Sequence, residues 1–82
     1  MQTLTANVTD TNHRPRGAMS IQVDAADGRI FSVIHDEVWY HATGKLGTNN
    51  DTGKAVSELA AKGPDGESRL WLSDDLKDLW ED

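Results

Sequence analysis

The sequence contains no cysteine, so neither a disulfide nor a thiolate metal site can staple it. Its three histidines, His13, His35 and His41, lack the paired spacing of a structural zinc site, and no metal or other cofactor is expected. No run approaches the roughly 20 apolar residues that cross a bilayer as a helix. The opening Met1-Gln2-Thr3-Leu4-Thr5 has neither the basic start nor the apolar stretch of a secretory signal. A cytoplasmic location without membrane contact is the expectation. An 82-residue chain forms one domain, 1–82, and buries only about 60% of the surface its unfolded form exposes. Packing must supply its stability, with or without a partner copy.

Positive charge is also scarce. Eight Lys and Arg face 14 Asp and Glu, giving −6. The excess is local: residues 63–82 hold Asp65, Glu67, Asp74, Asp75, Asp78, Glu81 and Asp82 against Arg69 and Lys77 alone. Such a field repels phosphate backbones and attracts basic surfaces. Direct nucleic-acid binding is therefore not expected, and a protein partner with a basic surface is.

What is present begins with a period-2 pattern. Leu4, Ala6 and Val8 alternate with Thr3, Thr5, Asn7 and Thr9, which predicts a half-buried strand. The polar stretch Asp10 to Gly17, with Pro15, predicts a mobile loop, so that residues 1–17 form a loosely attached strand and loop. Asp27-Gly28 then separates two apolar runs as a type I′ hairpin turn does. That turn pairs Ile21 with Ile34, Val23 with Ser32 and Ala25 with Ile30, a central hairpin over 21–34. A third strand, Val38 to Ala42, turns Val38, Tyr40 and Ala42 toward the same face. Gln22, Asp24, Phe31, Val33, Trp39 and His41 fall on the other, half apolar, which either a further element covers, the favoured reading, or which is an exposed aromatic binding surface.

Two helices complete the prediction. Thr52 to Lys62, capped by Asp51 or Thr52, carries the stripe Val56, Leu59 and Ala60 and stops at Gly63-Pro64. After a fourth strand, Arg69 to Leu72, Ser73 caps a second helix over about 74–81 in which Leu76, Leu79 and Trp80 share one side. The expected class is α+β: a small antiparallel sheet of three to five strands, one helix (about 52–62) packed on it, and a short C-terminal helix.

No nucleophile and base come together in the sequence, so catalysis is not expected. The stretch Gly47 to Lys54 sits where a phosphate-binding loop belongs. However, five residues separate its glycines, and Ala55 stands where a hydroxyl would hold magnesium. Anion or nucleotide binding there is a minor alternative. The leading expectation is a small acidic interaction module that docks through Trp80, Leu76 and Leu79, flanked by Asp74, Asp75 and Asp78, and through Phe31, Trp39 and His41. A second reading is an acidic inhibitor of phage or plasmid type, whose carboxylates imitate nucleic-acid charge and block a nucleic-acid-binding protein. Docking of His13-Arg14-Pro15-Arg16 on the acidic end of a second copy, a homodimer, also stays open.

Overall fold

The structure, a computed structural model, describes residues 1–82 and contains strands and turns only. Seven strands follow one another: β1 (Gln2–Thr9), β2 (Pro15–Ala26), β3 (Arg29–His35), β4 (Val38–Thr48), β5 (Ala55–Gly63), β6 (Gly66–Ser73) and β7 (Asp78–Glu81). Each pairs antiparallel with the next. The ring closes where β7 lies parallel to β1, with Asn7, Val8 and Thr9 opposite Asp78, Leu79 and Trp80.

The interior follows from alternation. Ala6 and Val8 of β1, Ile21 and Val23 of β2, Ile30 and Val33 of β3, Leu59 of β5, Leu70 and Leu72 of β6 and Leu79 of β7 form one buried cluster. Asp10 anchors the loop between β1 and β2, its Oδ1 accepting from the amides of Asn12 and Arg14 at 2.9 Å each.

The hairpin about Asp27-Gly28 forms, with φ of 54° and 76° as a type I′ turn requires. Its register differs from the simple alternation. A bulge between Asp24 and Ala25 sets Val33 opposite Val23 and Ile34 opposite Gln22. Val33 therefore belongs to the core, and Ile34 takes its place outside. Gly28→Val forces a β-branched residue into left-handed backbone, which costs about 1–2 kcal/mol. Calorimetry should record a fall of several degrees in Tm; an unchanged Tm would count against this account of the turn.

Both expected helices are corrected to strands. The segment Ala55–Gly63 is flanked by β4 and β6 and buries both its faces, Val56 and Glu58 on one, Leu59 and Ala61 on the other. A strand covered on two sides loses its polar alternation, and what remains imitates a helical stripe. Gly63-Pro64-Asp65-Gly66 is a hairpin turn with Gly63 opposite Gly66, using the same Pro and Gly that would end a helix. At the C-terminal segment, Ser73 and Asp75 bond into a tight turn. Ser73 Oγ donates to Asp75 Oδ1 at 2.6 Å and accepts from Asp78 N at 3.0 Å, while Lys77 N donates to Asp75 Oδ1 at 3.0 Å. These residue types cap helices and turns alike. Leu76, at φ 63°, ends any helical course, and the chain continues as β7.

Candidate functional site

With no C-terminal helix, Leu76, Leu79 and Trp80 share no common side. Leu79 is fully buried, Leu76 sits in the turn against the core, and only Trp80 faces outward, half-buried. Trp80 lies opposite Trp71 of β6. Together with Gly47, Thr48, Asn49 and Val56 the two rings line a small pocket of about 140 Å³. Gly47 sets its backbone against the ring, where a Cβ would stand 3.4 Å from Trp71 Cζ3.

The acids expected to flank a helix occupy a turn. Asp74 is exposed, with its amide donating to Ala55 O at 2.9 Å. Asp75 and Asp78 both grip Lys54, Asp75 at 3.0 Å. The Ser73 hydroxyl, then Lys54, then the Lys77 amide hold the Asp75 carboxyl down at about 2. In return, hydrogen bonds from Lys54 to Asp78 and Asp75 raise its ammonium above the ordinary value. Asp65 and Glu67 lie at the other end of β6, where Glu67 pairs with Arg69 at 2.6 Å.

Most amides of the turn from Asn49 to Lys54 are bonded within the turn itself. Asn49 Oδ1 accepts from the amides of Asp51 and Thr52 at 3.0 Å each, and Gly53 N donates to Asn49 O at 2.7 Å. Those donors turn inward, away from any anion.

A second cluster ties β7 to the rest of the barrel. His35 Nε2 donates to Glu81 Oε2 at 2.7 Å; the carboxylate can only accept. Arg16 bridges Glu81 at 2.5 Å and Asp36 at 2.8 Å. The hydrogen bond from Arg16 holds the Asp36 carboxyl below its ordinary value, and the two carboxylates raise the guanidinium. His35, Asp36 and Glu81 come close enough to share a metal ion, but the guanidinium already stands between the two carboxylates. The cluster reads as a clasp rather than a metal centre.

The remaining surface is apolar where the sequence predicts cover. Phe31, Val38, Trp39 and Leu46 are exposed, and no element lies over them. Trp39 and His41 stack side by side on β4, centroids 5.1 Å apart. Of the β4 residues expected inside, only Tyr40 packs on the core; Val38 and Ala42 are exposed. Beyond His41 and Ala42, β4 also leaves its neighbours. It pairs with β3 only from His35↔Val38 to Ser32↔His41, and with β5 through Ala42 and again from Leu46, with Thr43–Lys45 bulging between. The gap is a groove of about 580 Å³ running past Arg29, Ile30 and Phe31, Thr43 to Leu46, and Glu58.

Sequence reasoning missed Glu58, Thr43 and Leu46 at this groove. An acid within the apolar stretch Val56–Ala61 and two glycines flanking Lys45-Leu46 were the only signals. Comparison with family models, with curated proteins and with solved structures gives no match, so function rests on these surfaces alone.

Proposed function

We propose that the chain is a non-catalytic interaction module for a protein partner with a basic surface, docking through β3 and β4. One observation carries this above the others. Of the five large hydrophobic side chains left exposed, Phe31, Val38, Trp39 and Leu46 belong to these two strands. A small domain with little apolar material gains nothing for its own core by leaving a tryptophan and a phenylalanine in water, whereas such residues are frequent binding anchors. The charge of −6 favours a basic partner in approach and orientation. Mimicry of nucleic acid draws no support from the placement of the acids. Asp65 and Glu67 sit at one end of β6 and Asp74, Asp75 and Asp78 at the other, with Glu67, Asp75 and Asp78 already paired.

Capture from source cells at low and high salt, with the wild type and a Trp39→Ala/Phe31→Ala double variant, tests the proposal. The expected result is a partner whose affinity falls by about 2 kcal/mol or more in the variant. A partner held equally by both proteins would sink the assignment of this face.

A further inference from the structure

We infer that the open seam between β3 and β4 receives a short extended segment of that partner, which adds a strand against Arg29–Phe31 and places a lysine or arginine side chain at Glu58. The existence of a partner rests on the interaction-module reading; the chemistry of the seam rests on three observations of its own.

The first is the backbone. Arg29 and Ile30 pair with Ala26 and Ala25 of β2, but β3 meets β4 only from Ser32 onward, and Thr43, Gly44 and Lys45 have no partner in β5. An unpaired stretch of strand is a template for an added one. Three residues of edge span about 10 Å, enough for a segment of a few residues.

The second is the apolar lining. Ile30 and Ala42 lie in the groove with Phe31 and Leu46. Leu46 is 74% exposed, although it stands opposite Ser57 in the pairing with β5. An apolar side chain of the added strand, lying between Phe31 and Leu46, would remove both from water.

The third is Glu58. This side chain is 5% exposed and lines the groove. Thr43 Oγ1 donates to its Oε1 at 2.9 Å, yet the carboxylate belongs to none of the ion pairs of the molecule. None of the cations around the groove, Arg29 and Lys45 in its lining and Arg69 beside it, forms an ion pair with this carboxylate. Arg69 feels the Glu58 charge but gives its hydrogen bond to Glu67, and the Lys45 ammonium lies over the Trp71 ring, 5.8 Å from its centroid. A buried carboxylate without a cation is costly, and an incoming one relieves that cost. Because Arg29 and Lys45 also line the groove, a uniformly cationic segment is repelled. The geometry selects one basic residue among apolar ones.

The test uses a capped pentapeptide, Thr-Val-Lys-Val-Thr, and two relatives in which lysine becomes norleucine or glutamate, titrated into the intact protein with amide shifts as readout. Shifts are expected at Arg29–Phe31, Ala42–Leu46 and Glu58, with the lysine peptide binding about tenfold tighter than the norleucine peptide, the ratio that ~1.4 kcal/mol gives. Glu58→Gln should erase that preference. Leu46→Ser, at an exposed side chain, should weaken both peptides alike and serves in place of Glu58→Gln if that variant does not fold. Shifts located elsewhere, none at millimolar peptide, or a lysine preference that survives Glu58→Gln would overturn the inference. Seam binding combined with capture that Trp39→Ala alone leaves intact would overturn only the aromatic face; capture that Trp39→Ala alone abolishes, without seam binding, would overturn only the seam.

Discussion

Leu79→Ala should lower the free energy of unfolding by about 3 kcal/mol, within the range measured for deeply buried leucines. Leu79 is fully buried and lies opposite Leu72 of β6 on one side and Val8 of β1 on the other. It is the only residue of the four-residue β7 that is buried in the core. Removing its side chain therefore opens a cavity and weakens the strand that closes the barrel in one step. Small domains hold about 5–15 kcal/mol in total, so the loss should bring the urea midpoint down sharply with little change in slope. Leu46→Ala is the matched control. Leu46 is exposed, and its truncation should cost within about 0.5 kcal/mol. Equal costs for the two leucines would contradict the assignment of the interior.

The second large effect belongs to Ser73, a fully buried hydroxyl that donates to Asp75 and accepts from the Asp78 amide. Ser73→Ala leaves that amide without its partner and should cost about 1–3 kcal/mol at neutral pH. It should also move the acid limb of stability. Asp75 titrates in the native protein at about 2, below its ordinary 3.8. A depressed carboxyl stabilises the fold fully above its unfolded value and loses that contribution as pH falls toward the folded one. In the wild type the loss therefore spans about 4 down to 2. Asp75 is largely open to solvent, so its share is that of a screened surface group. With Ser73 gone the largest cause of the depression disappears, and the contribution of Asp75 shrinks because its folded and unfolded values converge. Urea midpoints from pH 2 to 6 should show a shallower slope below pH 4 in Ser73→Ala than in the wild type. Parallel slopes would exclude the hydroxyl as the group that holds this carboxylate.

The strands that the sequence announces are those with one wet face. Leu4, Ala6 and Val8 alternate with polar neighbours, and Asp27-Gly28 names its own turn type. Where both faces are covered, as at Val56 to Ala61, alternation disappears and good helix formers such as Glu58, Leu59 and Ala60 point to the wrong element; pairing with β4 and β6 overrides that propensity. Ser73-Asp74-Asp75 misleads for a different reason, since the hydrogen bonds that start a helix also close a turn. The exposed face was legible in part. Trp39 and His41 fall on a common side of a strand, but whether that side is covered or open is not decided by the sequence, because it depends on the whole set of seven strands forming one ring with nothing left to lay over it. The seam was hidden further, since a bulge at Thr43–Lys45 is a failure of pairing between strands rather than a property of either.

The parallel contact of β7 with β1 also sets how this protein comes into being. β1 to β6 can zip together in order, each strand beside the one just formed, but the last seam joins Asn7 to Asp78 across almost the whole chain. Without that seam, the sheet of β1 to β7 is an open ribbon with two raw edges. Pairing over such a separation is slow to nucleate because the chain entropy is lost before the contact is gained. The clasp of Arg16, His35 and Glu81 exists only after this event, so its charges act on the lifetime of the closed ring more than on the speed of its closing.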